Sequence, residues 1–214
     1  MTHTLELIDV GKKFGRNRVL QEISLSAQSG TILGFTGHNG SGKTVLFKCI
    51  CGFMEVSEGQ ILIDKRPVGI EKNMPCCVAG TIEEPAFLEE YSGIQNLDFL
   101  YRLRHRKDTA KMRRMMELVH LDPDSRKKVG KYSLGMKQRL AIAQVLMEEQ
   151  PILVMDEPMN GLDRQGSAEI RELLLEEKKK GKIVLLASHN KQDIDYLCDR
   201  VYELENGRMI HEKK

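Results

Sequence analysis

The chain has 214 residues, enough for one large domain with a sizeable buried core. Its 41% hydrophobic content beside 30% charged residues excludes wholesale disorder, and no apolar run approaches the roughly 18 residues that a membrane-spanning helix needs. The formal net charge of +2 is too balanced to indicate nucleic-acid binding over the whole surface. The first residues lack the layout of a signal peptide and the five cysteines form no C-x-x-C, so we expect a cytosolic protein with reduced thiols.

The N-terminal residues predict an antiparallel hairpin. Two strands, Leu5–Val10 and Val19–Ser26, flank a basic turn at Gly11–Arg16. Phe14 lies among the charges of that turn. An aromatic ring in this setting either covers the hairpin or offers a stacking surface for a base, and the residues alone leave both open.

The next segment, Gly37–Thr44, matches G-x-x-x-x-G-K-[ST] at every position. A short apolar strand is predicted before it at Thr31–Thr36, and a helix can continue from Val45 to Ile50, which is the context that a phosphate-binding loop requires. Glycines let backbone N–H groups approach phosphate oxygens, Lys43 neutralises their charge, and the Thr44 hydroxyl can ligate Mg²⁺. The candidate nucleotide-binding residues are therefore Gly37, His38, Asn39, Gly40, Ser41, Gly42, Lys43, Thr44 and Val45.

After the loop, Gln60–Ile63 predicts a further strand and Met74–Val78 another. From Ser92 to about His120 the apolar spacing becomes helical, with Ser92 as the predicted N-cap, and the methionines of this stretch are expected in the core. Between Tyr101 and Lys131 there are eleven Lys/Arg against four Asp/Glu. That excess predicts a solvated face, or a surface that meets an acidic partner or anionic lipid.

The remaining elements alternate. Gly135–Glu149 predicts a largely buried helix, Ile152–Met155 a strand that ends in Asp156-Glu157, and Ile183–Ala187 a second buried strand. The chain ends in a predicted hairpin, Val201–His211, around the turn dipeptide Asn206-Gly207. Alternating strands and helices predict a mostly parallel sheet covered on both faces.

Five segments in fixed order resemble the nucleotide-binding subunit of an ABC transporter, over nearly the whole chain. Beyond the phosphate loop, Tyr132–Leu140 (YSLGMKQRL) is similar to the family signature, usually written LSGGQ, in an SLGM variant. Ile152–Glu157 resembles Walker B followed by the catalytic glutamate. Gly161–Asp163 resembles the D-loop, and Ser188-His189 resembles the segment that carries the switch histidine. Phe14 matches the aromatic A-loop position, which favours adenine stacking.

The resemblance implies an α/β fold of the P-loop NTPase class, ABC type, with a mostly parallel sheet core, an antiparallel β subdomain and a helical subdomain. It implies one ABC ATPase domain over residues 1–214, with the ATP-binding core at 1–82 and 150–214 and the helical subdomain, including the signature, at 83–149.

The roles implied by the resemblance suit the residues. Asp156 can coordinate Mg²⁺ at a strand end, and Glu157 can act as general base for the attacking water. His189 can contact the γ-phosphate in a reaction governed by positioning and electrostatics. Ser133 and Gly135 open a helix and can hold a phosphate, which in this family belongs to the nucleotide on the opposite subunit. Asp163 completes the implied nucleotide contacts.

One position departs from the family pattern. The segment Thr81–Phe87 aligns with the Q-loop, where the usual glutamine is replaced by Glu83, or by Glu84 in the alternative alignment. A carboxylate can still meet Mg²⁺ but cannot donate as an amide does. This replacement and the SLGM signature resemble the bacterial peptide-antibiotic export and immunity branch.

The resemblance implies an ATPase that uses ATP and Mg²⁺, dimerises head to tail with itself or a similar cassette, and powers a separate polytopic permease from the inner face of the membrane. A soluble, non-transport ABC ATPase acting on ribosomes or nucleic acid is the alternative, although nucleic acid is not the expected partner. A GTP-binding switch is a third hypothesis, because Asn190–Asp193 reads N-K-x-D. Against it, Met159 occupies the glycine position of the expected D-x-x-G.

Overall fold

The computed structural model describes residues 2–69, 77–83 and 85–213. The chain divides into two compact units. The first comprises residues 1–82, 150–157 and 173–214, and the second comprises residues 83–149 and 158–172. Each unit has its own secondary structure.

An antiparallel sheet in the first unit has the strand order β2-β1-β4-β5. Its strands are β1 (Thr4–Phe14), β2 (Asn17–Gln28), β4 (Glu58–Ile63) and β5 (Arg66–Pro67). The predicted turn at Gly11–Arg16 is wrong over its first four residues, which continue β1. The register of the β1–β2 pair shifts between Leu7 and Val10 and again before Lys12, so irregular pairing breaks the alternation that would have marked these residues as strand.

The second sheet of this unit has the order β10-β9-β3-β8-β7-β6. Its strands are β3 (Thr31–Thr36), β6 (Val78–Thr81), β7 (Ile152–Asp156), β8 (Ile183–Ala187), β9 (Arg200–Glu205) and β10 (Arg208–Lys213). All pairs are parallel except the β9–β10 hairpin, so the prediction of a mostly parallel sheet is confirmed. The strand predicted at Met74–Val78 begins at Val78, and residues 74–76 lie outside the described residues.

One hydrophobic core joins the two sheets to α1 (Lys43–Ile50). Phe35 from β3 and Phe47 from α1 meet edge to face at its centre, with ring centroids 5.3 Å apart. Burial raises the pKa of the Cys51 thiol to about 12, and that of Cys198 likewise to about 12. These thiols therefore stay protonated and contribute as small apolar side chains. The first unit also holds the end of α5 (Arg164–Lys179) and all of α6 (Lys191–Leu197).

The second unit is helical and contains α2 (Gly93–Tyr101), α3 (Thr109–Leu118) and α4 (Leu134–Met147). The predicted cap is confirmed, because Ser92 and Gln95 form a reciprocal capping box at the start of α2. The predicted helical stretch to His120 is divided by a turn, and Asp108 caps α3 by accepting from the Lys111 N–H. Met112 and Met116 are buried as predicted, whereas Met115 of the same stripe is only partly buried.

Candidate nucleotide-binding site

The predicted phosphate loop connects the end of β3 to the start of α1. Its three glycines, Gly37, Gly40 and Gly42, have positive φ angles of 132°, 82° and 110°. Gly42 precedes α1 and supplies no side-chain cap, so the first N–H groups of the helix face the loop without a competing acceptor. A loop of this shape binds an anion such as a phosphate group.

The Lys43 ammonium lies inside the loop. It donates to the carbonyl oxygens of Gly37 at 2.7 Å and His38 at 3.1 Å. These carbonyls hold the cation where phosphate oxygens would enter. The other loop residues are arranged around it: His38, Asn39 and Gly40 are exposed, Ser41 is buried, and the side chain of Val45 packs against the core, so a nucleotide would meet the backbone of Val45.

The C-terminal hairpin supports this loop from a distant part of the chain. At its turn, Asn206 and Gly207 have φ angles of 49° and 77°, as the predicted type I′ turn requires. The Gly207 N–H donates to the Ser41 carbonyl at 3.0 Å, and the Gly207 carbonyl accepts from the Gln21 N–H at 2.8 Å. The sequence revealed the turn but gave no sign that it contacts the loop.

The candidate magnesium ligands Thr44 and Asp156 lie together. The Thr44 hydroxyl donates to Oδ2 of Asp156 at 3.1 Å, because the loop after β3 and the end of β7 meet at the same edge of the parallel sheet. Hydroxyl and carboxylate oxygens are hard ligands, and Mg²⁺ in nucleotide sites commonly uses one or two of them together with water and phosphate oxygens. The residues present therefore fit Mg²⁺, although the described part of the chain has no group of three His, Cys, Asp or Glu arranged for a metal.

Glu157 and His189 form a pair at the ends of β7 and β8. Oε2 of Glu157 lies 2.9 Å from Nδ1 of His189. Glu157 has a φ of 51°, and its N–H donates to the Ala187 carbonyl at 3.0 Å, which fixes this left-handed backbone. The His189 side chain is 76% exposed, so the pair faces open space beside the phosphate loop.

The turn that carries His189 is itself held by polar side chains. The buried Ser188 hydroxyl donates to Asp193 at 3.3 Å and accepts from the Asn190 N–H at 3.1 Å. The Asn190 side chain accepts from the Gln192 N–H at the start of α6. Asn190 and Asp193 of the N-K-x-D match are thus built into this turn, which gives a structural reason for the pattern other than guanine recognition.

Phe14 ends β1 and is 47% exposed. The Lys12 ammonium lies 5.1 Å from the centre of its ring. A half-exposed ring with one accessible face can stack on a base, so the structure leaves the predicted adenine contact available.

The remaining predicted site residues belong to the second unit. The Ser133 side chain caps α4 by accepting from the Met136 N–H at 3.2 Å. Gly135 packs tightly on the D-loop, since an added Cβ would lie 2.8 Å from the Gly161 carbonyl. Asp163 accepts from the Gly166 N–H at 2.7 Å. Glu83 has a left-handed φ of 65°, and its metal contact remains a prediction.

Comparison with known proteins gives consistent results. The ABC transporter family model matches residues 20–160. The chain is 37% identical to the uncharacterized ABC transporter ATP-binding protein YybJ of Bacillus subtilis, covering 98% of this chain and 96% of YybJ. It is 32% identical to the bacitracin transport ATP-binding protein BcrA of Enterococcus faecalis, covering 99% of this chain and 70% of BcrA.

A solved structure shows the same fold. It is a dimeric, post-hydrolysis state of the ATP-binding cassette MJ0796 bound to ADP and phosphate, with a TM-score of 0.89 and 21% identity, over 98% of both chains. Since the family model spans more than half of the sequence and relatives align along almost all of it, the chain belongs to the ABC transporter family, as an ATP-binding and ATP-hydrolysing subunit.

Proposed function

We propose that this chain pairs head to tail with a second copy or a similar cassette, closes on ATP and Mg²⁺, and drives a separate membrane permease that exports a peptide, antibiotic or lipid-like substrate. The observation that carries the proposal is the convergence of five side chains at the ends of three neighbouring parallel strands of the first unit. They are Lys43, Thr44, Asp156, Glu157 and His189.

In this proposal the phosphate loop holds the triphosphate. Lys43 exchanges its contacts to the Gly37 and His38 carbonyls for β- and γ-phosphate oxygens, and the N–H groups at the start of α1 complete the contacts. Thr44 and Asp156 hold Mg²⁺, which supplies neutralising charge on the phosphates when bound. Phe14 stacks on the adenine.

Glu157 accepts the proton of the attacking water. The pair with His189 already places the Glu157 carboxylate at the strand ends, and the left-handed backbone directs it away from the buried strand β7. His189 then contacts the γ-phosphate as its charge develops. Because both groups are partly exposed, a second molecule must cover them to exclude water from the site.

The partner cassette supplies that cover. Ser133 and Gly135 open the 14-residue helix α4, whose first N–H groups suit a phosphate, and Asp163 follows on the D-loop. In a head-to-tail pair these groups meet the nucleotide of the other copy. The dimeric state of the similar cassette MJ0796, with ADP and phosphate, supports this arrangement.

The permease is a different chain in this proposal. Among the described residues no helix is long and apolar enough to span a bilayer. The second unit exposes Leu88, Tyr91 and Phe99, and the rings of Tyr91 and Phe99 meet edge to face at 5.0 Å. This apolar patch can receive a cytoplasmic segment of the permease. The cassette would then work as a peripheral subunit on the inner face of the cell membrane.

Export of an antibiotic or peptide is supported by the similarity to BcrA, which is named for bacitracin transport. The SLGM signature and Glu83 point to the same branch. The substrate itself would be selected by the permease.

The experiment that tests this function is the Glu157→Gln substitution. Loss of the general base should lower steady-state ATP hydrolysis at least about 100-fold while ATP binding survives, because the phosphate loop is intact. Hydrolysis is measured by phosphate release and binding by titration calorimetry.

Glu176→Gln is the matched control, since Glu176 is exposed on α5 and distant in sequence from every proposed site residue. It should hydrolyse ATP at the wild-type rate. Wild-type turnover in Glu157→Gln would refute the proposed role of this carboxylate.

A further inference from the structure

The connection between α2 and α3 forms a compact, strongly basic turn. We call Arg102–Lys107 the cationic turn; it carries Arg102, Arg104, Arg106 and Lys107, together with His105 and Leu103. All six side chains are exposed, and Leu103 is 79% exposed, the largest value among the exposed large hydrophobic residues of the described chain. An apolar side chain surrounded by cations in this way is not explained by the nucleotide site.

The cationic turn is a fixed structure. Its backbone is anchored by hydrogen bonds from the N–H groups of Arg104 and His105 to the Tyr101 carbonyl. The His105 ring stacks on the buried Tyr101 ring at 4.3 Å and contacts Glu148 at 3.2 Å. The exposed cations are therefore held on a firm base rather than on a mobile loop.

Nearby acidic groups neutralise only part of this charge. Asp98 pairs with Arg102 of the cationic turn at 3.6 Å. Glu149 instead pairs at 2.9 Å with Lys111, which lies outside the turn. Arg104, Arg106 and Lys107 have no ion-pair partner anywhere in the part of the chain that the structure describes. Three neighbouring cations therefore remain available to an anionic partner.

The position of the cationic turn indicates which anion it meets. Phe99, in the apolar patch assigned above to the permease, lies near the C-terminal end of α2, and the cationic turn follows directly after Tyr101, the last residue of that helix. The nine residues of α2 span roughly 13 Å. The distance along α2 between the apolar patch and the cationic turn is therefore less than the thickness of one leaflet of the bilayer's hydrocarbon core. A permease docked on the patch would thus bring the cationic turn to the cytoplasmic surface of the membrane.

We propose that the cationic turn binds anionic phospholipid headgroups beside the permease, with Arg104, Arg106 and Lys107 on the phosphates and Leu103 at the boundary of the acyl chains. This inference rests on the proposed function, because it requires a cassette that works at the membrane. The exposed Leu103 favours lipid over nucleic acid or an acidic peptide, since an apolar side chain flanked by cations gains from the headgroup–acyl boundary.

Vesicle flotation of the full chain tests the proposal, with vesicles of phosphatidylcholine alone or mixed with phosphatidylglycerol. The chain should bind the anionic vesicles and not the neutral ones, and added salt should weaken binding. Replacing the three cations, Arg104→Ala/Arg106→Ala/Lys107→Ala, should lower the partition coefficient on the order of 100-fold, at about fivefold for each cation. Leu103→Ser should weaken binding while preserving its salt dependence.

The control triple Lys65→Ala/Arg126→Ala/Lys179→Ala removes the same charge from exposed positions elsewhere and should retain vesicle binding. Equal loss in the control, equal binding to neutral vesicles, or stronger binding to RNA than to anionic vesicles would overturn the proposal. ATP hydrolysis of each variant is measured in parallel. If the wild-type chain hydrolyses ATP but does not bind anionic vesicles, the proposed lipid surface is refuted and the proposed function is not. If Glu157→Gln hydrolyses ATP at the wild-type rate, the proposed nucleotide site is refuted.

Discussion

The hairpin turn at Gly207 provides a sharp test of how the fold supports the phosphate loop. In Gly207→Ala the new Cβ would lie 2.1 Å from the Val19 carbonyl oxygen, and the φ of 77° is unfavourable for alanine. The left-handed backbone costs about 1–2 kcal/mol, and relief of the backbone clash adds about 1–3 kcal/mol. We therefore expect the free energy of unfolding to fall by about 2–5 kcal/mol.

The same substitution should weaken ATP binding. Moving the turn away from β2 lengthens the hydrogen bond from the Gly207 N–H to the Ser41 carbonyl, now 3.0 Å, and frees the loop to leave its phosphate-binding shape. A loss of about 1.4 kcal/mol in the binding free energy of ATP corresponds to a tenfold higher Kd. Urea unfolding gives the stability, and titration of the folded protein gives the Kd.

Gly181→Ala is the matched control. Gly181 has a similar φ of 86°, but an added Cβ there meets no atom within 4 Å. It should lose only about 1–2 kcal/mol of stability and keep the wild-type Kd. If Gly207→Ala binds ATP as tightly as Gly181→Ala, the hairpin turn does not position the loop.

Two further predictions concern other parts of the structure. Burial of Glu177 raises its pKa, but hydrogen bonds from Lys180 and Lys182 outweigh that effect and hold the pKa below its usual value. A lowered pKa in the folded state stabilises the protein above the unfolded value of about 4.3 and loses this contribution as pH falls below it. Glu177→Gln should therefore lower the free energy of unfolding by about 2–4 kcal/mol at pH 7. When the free energy of unfolding is measured with urea at several pH values, it should fall less steeply below about pH 4.3 in the variant than in the wild type. An unchanged pH dependence would contradict this role of Glu177. For the dimer, Lys43→Ala and Ser133→Asp should each be inactive alone and recover part of the hydrolysis when mixed, because one site of the mixed pair keeps both intact halves; no recovery would contradict the head-to-tail arrangement.

The buried strands could be predicted closely from the sequence. Thr31–Thr36 and Ile183–Ala187 are strands at the predicted residues, because short apolar runs bounded by glycine or polar residues define both ends. Once these strands lie parallel, their carboxyl ends meet at one edge, so Lys43, Asp156 and His189 come near each other although they are far apart in sequence.

Other features depend on contacts that no local pattern records. The turn between α2 and α3 interrupts a sequence with good helical spacing, and its shape depends on the packing of His105 on Tyr101. The irregular pairing of β1 depends on its two partner strands. The hydrogen bond between Gly207 and Ser41 joins opposite ends of the first unit's sequence, so a turn motif alone could not predict its role.

Ser133 illustrates why a signature residue must be tested with a substitution that separates two tasks. Its hydroxyl caps α4 in the single chain, so Ser133→Ala would remove about 1 kcal/mol of helix stability as well as any phosphate contact. Aspartate caps a helix as well as serine does, yet its negative charge repels a phosphate. A folded Ser133→Asp protein that has lost hydrolysis therefore assigns the loss to the nucleotide contact, and recovery on mixing with Lys43→Ala assigns that contact to the opposite subunit.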